Sequence, residues 1–179
     1  LHLLVLALLS VFLFISCGGS KETAGAKTTT KDTLVVANGA DAKSLDPHAT
    51  NNAPSSKVTV QIYDRLVEQD DNMNIIPSLA ESWEQPDDVT TVFHLRKGVK
   101  FHNGDILTSE DVKYSLDRAI ASPQASYLFN PIKEVAIIDE NTVKVTTKEP
   151  FGPLLKHLST TNGSIINKRA AVEAGDDVF

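Results

Sequence analysis

Five histidines, His2, His48, His94, His102 and His157, are the first residues to weigh for metal or acid–base chemistry. Their spacing fits no compact ligand set: there is no H-x3-H and no H-E-x-x-H. His94 and His102 flank a turn on neighbouring strands and are the one pair within local reach of each other, as in any ordinary hairpin. Asp87 and Asp88 stand side by side in a turn cluster, where Asp is favoured because it bonds its own backbone. No nucleophile is advertised, since the chain has no G-x-S-x-G elbow and its single thiol is Cys17. Phosphate-cradling loops of the G-x-x-x-x-G-K-[ST] or G-x-G-x-x-G type are absent. Tyr63, Trp83, Tyr114 and Tyr127 are too scattered to form a stacking platform. The residues therefore point away from an enzyme and imply neither a metal site nor a cofactor. One cysteine also excludes an intramolecular disulfide framework. With 17 Lys and Arg against 23 Asp and Glu, the net charge of −6 argues against a nucleic-acid partner, which needs a basic face.

Cys17 gains meaning from what precedes it. Leu3 to Ile15 is apolar except for Ser10. At about 1.5 Å per residue it spans roughly 20 Å, short of the ~30 Å hydrocarbon core of a bilayer. Residues 1–16 thus read as a signal peptide. The run Phe14-Ile15-Ser16-Cys17-Gly18 resembles the lipobox of bacterial lipoproteins, which implies diacylglycerol on the Cys17 thiol and a membrane partner through that anchor. The alternative is a plain secretory signal with a chance cysteine. Residues 17–32 follow without a large apolar side chain and read as a flexible tether.

The body, residues 33–179, must supply whatever positions a site. Thr33–Ala37 is β-branched and apolar, a first strand. Asp41 to Ala53 is a polar loop. Val58, Ile62 and Leu66 recur at helical spacing behind Pro54-Ser55-Ser56. Ser82–Glu84 and Thr91–Arg96 flank Gln85-Pro86-Asp87-Asp88 as a hairpin, and Asn103-Gly104 marks another turn. Thr108-Ser109-Glu110-Asp111 has the form of a capping box, followed by Val112, Leu116, Ala119 and Ile120 on one helical stripe. Val135–Ile138 and Val143–Thr146 make a second hairpin. A short helix over Leu154–Leu158, a strand over Ser164–Ile166, and an Asn167-capped helix ending at Gly175 complete the chain. The pattern predicts an α/β body with a mixed sheet and prominent hairpins.

The run Leu79-Ala80-Glu81-Ser82-Trp83-Glu84, then Val92–Gly104, then Leu107–Val112, strongly resembles the signature of the bacterial extracellular solute-binding proteins of the peptide and nickel class, family 5. Ser44-Leu45-Asp46-Pro47-His48, Ile62–Val67, Asn141–Val143 and Glu149–Phe151 match as well. The resemblance runs from about Thr33 to the end. It implies a periplasmic-binding-protein-like (type II) lobe that is incomplete, the truncated N-terminal part of a two-lobed domain. Most signature residues read as scaffold: Phe93, Leu95, Val99 and Phe101 supply apolar faces, Asn103-Gly104 a turn and Thr108 a cap.

The same resemblance implies an extracytoplasmic, lipid-anchored receptor of an ABC importer, with permease subunits as partners and a peptide as ligand. Its alternatives are a nickel, haem or oligosaccharide receptor, or a lipoprotein that signals or adheres without transport. In oligopeptide-binding relatives the loop after the first strand meets the ligand through main-chain bonds. The corresponding residues are Asp41, Ala42, Lys43 and Ser44. Asp41 either faces a cationic group of the ligand or merely stabilises a turn.

Overall fold

The computed structural model describes residues 34–175. Contacts divide the chain into two units, after Ala37. Leu34–Ala37 pair with no strand, and Leu34 and Val35 are each 86% exposed. The strand expected over Thr33–Ala37 is therefore not formed in its described part. Propensity favours an extended chain there, but a strand is completed by a neighbour's hydrogen bonds, and no described residue supplies them. The signal peptide and the whole tether, Cys17 included, lie outside the described residues.

In the second unit the chain is irregular up to Asn52, which caps helix α1 (Ala53–Thr59). Its Oδ1 accepts from the Ser55 N–H at 3.0 Å, and Pro54 fits the first turn, where its missing N–H costs nothing. The apolar stripe predicted a helix reaching Leu66, but α1 stops at Thr59. Val58, Thr59, Val60 and Ile62 lose side-chain freedom in a helix, and Leu66 is buried in the link that follows. Strands β1 (Val67–Gln69) and β2 (Ile75–Pro77) then pair antiparallel. Their turn is tied by Asp70, whose Oδ1 accepts from the N–H groups of Asn72 and Asn74 at 2.9 and 2.8 Å.

The main sheet holds β3 (Ala80–Asp87), β4 (Thr90–Leu95), β5 (Ile132–Asp139) and β6 (Thr142–Thr147), in the order β3-β4-β6-β5. The sheet was expected to be mixed; among the described residues every strand pair is antiparallel. Both expected hairpins are present. Trp83 lies opposite Phe93, Phe93 opposite Val143, and Val143 opposite Ile137, so one row of apolar side chains crosses the sheet. Pro86 sits in β3, an edge strand, where its lack of an N–H breaks no inner ladder.

Helix α2 (Ser109–Ala121) packs on β5 and β6 and brings Val112, Leu116 and Ala119 into the same core as Phe93, Val135, Val143 and Val145. The capping box is formed: Asp111 Oδ2 accepts from the backbone N–H of Thr108 at 3.0 Å. The rest of the chain crosses the helix side in short pieces: α3 (Ser126–Phe129), α4 (Leu154–Leu158), a 3-10 turn (Thr161–Gly163) and α5 (Lys168–Ala174). At Gly163 a Cβ would stand only 2.4 Å from the Leu158 carbonyl oxygen, so the turn needs glycine. The strand expected over Ser164–Ile166 is reduced to one bridge, Arg65 with Ser164. Asn167 caps α5 by accepting from the Ala170 N–H at 2.7 Å, and Gly175 closes it at φ 76°. No helix among the described residues is long and apolar enough to cross a membrane.

Candidate ligand loop and its support

Asp41, Ala42, Lys43 and Ser44 lie in the irregular stretch before α1. Asp41 and Lys43 are exposed, while Ala42 and Ser44 are half-buried. The loop is held from below by α1. Buried Ser55 offers its Oγ to the backbone N–H of Lys43 at 3.0 Å and, less closely, to that of Ser44 at 3.4 Å. Ser44 Oγ in turn accepts from the Asp46 N–H at 3.0 Å. The main-chain N–H groups of Lys43 and Ser44 are therefore already engaged. Those of Asp41 and Ala42 make no hydrogen bond among the described residues.

Next in the chain, Asp46 and His48 are buried, at 5% and 1% exposure. Two polar side chains this deep need partners, and Arg118 near the end of α2 supplies them. Its Nη1 donates to Asp46 Oδ1 at 2.7 Å, and its Nη2 to Asp46 Oδ2 at 2.5 Å. Nη1 also lies 3.0 Å from His48 Nδ1. A guanidinium only donates, so Nδ1 must accept and the ring proton sits on Nε2. That proton goes to the Ser164 carbonyl, 3.1 Å away. The loop's own backbone joins in: the His48 N–H donates to Asp46 Oδ1 at 2.8 Å, and Ser122 Oγ donates to the His48 carbonyl. Asn162 Nδ2 donates to the carbonyls of Pro47 and Thr50 at 2.8 and 2.9 Å.

The electrostatics follow from this geometry. Burial works to raise the Asp46 carboxyl, but the Arg118 hydrogen bonds, the His48 N–H and the Arg118 charge outweigh it and hold Asp46 below its ordinary value. Burial, then the Arg118 charge, push His48 down to about 4, against the smaller pull of Asp46. His48 is thus a neutral structural link at pH 7. Nearby Tyr63 is raised, by burial first and the Asp46 charge second.

The remaining histidines have separate surroundings. His94 Nε2 stands 3.6 Å from Glu84 Oε1. His102 is exposed, and His157 Nδ1 lies 2.7 Å from the Leu128 carbonyl. Among the described residues no three His, Cys, Asp or Glu side chains cluster to hold a metal ion. Asp87 accepts from the Val89 N–H at 2.9 Å, the turn role its position predicts.

An open, mostly apolar cavity of about 300 Å³ has Tyr63 in its wall but none of Asp46, His48 and Arg118. It is lined in part by Ile62, Tyr63, Leu79, Phe101, Leu107 and Ile165. Phe93 and Leu95 are buried as the signature implies, but Phe101 and Val99 are only half-buried and line this cavity. The position sequence reasoning missed is Arg118. Its only signal is helical spacing, with Asp111, Ser115 and Arg118 recurring as polar residues at i, i+4 and i+7 on α2.

The chain belongs to the bacterial extracellular solute-binding proteins, family 5; the model of that family's middle region matches residues 74–178, more than half of the chain. It is 35% identical over 161 residues to the periplasmic oligopeptide-binding protein OppA of Escherichia coli, a match covering 77% of this chain and 30% of that protein. It is 33% identical over 149 residues to the glutathione-binding protein GsiB of Pectobacterium atrosepticum, covering 80% of this chain and 29% of that one. Among solved structures it superposes on Haemophilus influenzae OppA in complex with RPPGFSPFR, with a TM-score of 0.71 and 31% identity over 79% of this chain and 32% of that one. The chain therefore spans about 30% of the length of the curated relatives it matches.

Proposed function

We propose that this chain is part of an extracytoplasmic substrate-binding receptor of an ABC importer, and that its ligand is a peptide. The carrying observation is its likeness to oligopeptide-binding relatives, including one with a nonapeptide bound. A glutathione-binding relative fits the same ligand class, since glutathione is itself a small peptide. In this reading residues 33–179 are part of one lobe, and ligand is held between that lobe and a second. Asp41, Ala42, Lys43 and Ser44 contribute the lobe's contact loop. The N–H groups of Asp41 and Ala42, which make no hydrogen bond among the described residues, suit main-chain pairing with an extended peptide, and the Asp41 carboxylate suits a cationic group. Residues 1–16 direct export, Cys17 carries the lipid, and residues 17–32 hold the body off the membrane. Permease subunits receive the loaded receptor, and binding, not turnover, is its task.

The test is calorimetric titration of the purified full-length receptor with di- to nonapeptides, and separately with a nickel–histidine complex, haem and an oligosaccharide. Saturable peptide binding with no heat from the other three supports the reading. Saturable binding of one of those three, with none for peptides, replaces it.

A further inference from the structure

We infer that Arg118 is a positioning residue for the ligand loop, acting through Asp46 and His48; this rests on the reading that Asp41–Ser44 contacts ligand. The stretch Asn38–Asn52 has no regular structure, so no helix or sheet ladder orders it. Its shape is set by side-chain bonds. Those bonds converge on the Asp46-Pro47-His48 segment, and Arg118 grips both of its polar side chains.

The route from Arg118 to the loop is short. Arg118 fixes both oxygens of Asp46, the Asp46 N–H is bonded to Ser44 Oγ, and the Ser44 and Lys43 N–H groups meet Ser55 Oγ. Arg118 also sets the His48 tautomer, which aims Nε2–H at the Ser164 carbonyl and fixes the other side of the segment. The fork shape matters. Three acceptors, Asp46 Oδ1, Asp46 Oδ2 and His48 Nδ1, are served by the two terminal nitrogens of one planar group. A lysine ammonium keeps the charge but is a single point and cannot span them in one geometry. Arg118 stands on α2, whose buried face is locked into the core. The loop is thus registered to a helix packed into the core.

Amide exchange and peptide titration on the full-length receptor test this. Wild type is compared with Arg118→Lys, Arg118→Met and the double variant Asp46→Asn/Arg118→Gln, which strands no buried charge should Arg118→Met fail to fold. The expected result is exchange at Lys43, Ser44, Asp46 and His48 accelerated about tenfold or more beyond any acceleration in β4 and β6, and peptide affinity about tenfold weaker, with Arg118→Lys intermediate. A purely structural arginine would instead speed exchange in the sheet as much as in the loop, and that result overturns the inference. So does a loosened loop with intact affinity. Peptide added to wild type must slow exchange at Asp41–Ser44; if it does not, the contact-loop reading itself fails, and the inference with it.

Discussion

Asp46 and Arg118 are 72 positions apart in the chain, yet both oxygens of the one meet both terminal nitrogens of the other, at 2.7 and 2.5 Å. The pair joins the irregular loop before α1 to the C-terminal part of α2. Asp46 is 7% exposed in its side chain and Arg118 29%. Removing one partner leaves a charge with little water to turn to. Asp46→Ala is expected to destabilise the protein by about 2–4 kcal/mol, a little under the cost of breaking a fully buried pair because Arg118 keeps some solvent. Urea denaturation measures it. A double-mutant cycle with Arg118→Met should return a coupling energy clearly above that of a surface pair.

His48 gives the fold a pH dependence with a defined sign. Its folded pKa, about 4, lies below its ordinary 6.5. Between those values the unfolded chain binds a proton that the folded chain refuses, so stability falls as pH drops from 6.5 to 4 and is fully present above 6.5. The span corresponds to roughly 3 kcal/mol. Arg118 and Asp46 face the ring, and Tyr63 lies in the same field. His48→Gln should flatten the stability profile across this window, while wild type loses melting temperature steadily through it. Asp46, lowered below its ordinary value, adds a further loss only at more acid pH.

The two signature phenylalanines should behave differently. Phe93 is fully buried between Trp83 and Val143, and Phe93→Ala is expected to cost about 3–5 kcal/mol. Phe101 is half-buried on an open cavity, so Phe101→Ala should cost distinctly less. Peptide affinity of either folded variant should stay near wild type. Paired thermal melts and titrations check both statements.

Where a local signal was complete in itself, the sequence could be read directly. Helix α2 announces itself by Thr108 and Asp111, and both hairpins of the main sheet by the turn clusters Gln85-Pro86-Asp87-Asp88 and Asp139-Glu140-Asn141. Asn167 and Gly175 bracket α5 as their types require. Failures occur where a distant partner decides. Thr33–Ala37 and Ser164–Ile166 have strand-forming residues, but one finds no neighbour among the described residues and the other only a single bridge to Arg65. The helix expected to reach Leu66 overran because an apolar stripe outlasted the propensity beneath it. The β1–β2 hairpin was missed, since its turn at Asp70–Asn74 depends on side-chain bonds that no dipeptide advertises. Asp41–Ser44 came from family resemblance alone. The Asp46–Arg118–His48 network was illegible because nothing local links positions 46 and 118.

The anchor is tested at Cys17. Mass spectrometry of the mature protein should show a chain beginning at Cys17 and carrying diacylglycerol, and Cys17→Ser should abolish the modification. A mature chain cut elsewhere and free of lipid would return Cys17 to a chance cysteine behind a secretory signal.

A peptide-contacting loop at Asp41–Ser44 is tested by calorimetric titration of wild type and Asp41→Asn side by side with one peptide series. Losing a charge-assisted bond costs roughly 1.5–3 kcal/mol, so affinity should fall about 10–100-fold. Asp41 is exposed, and melting temperature should not move. Unchanged affinity across several peptides with the same melting temperature would mean that Asp41 does not touch the ligand and is only part of a turn.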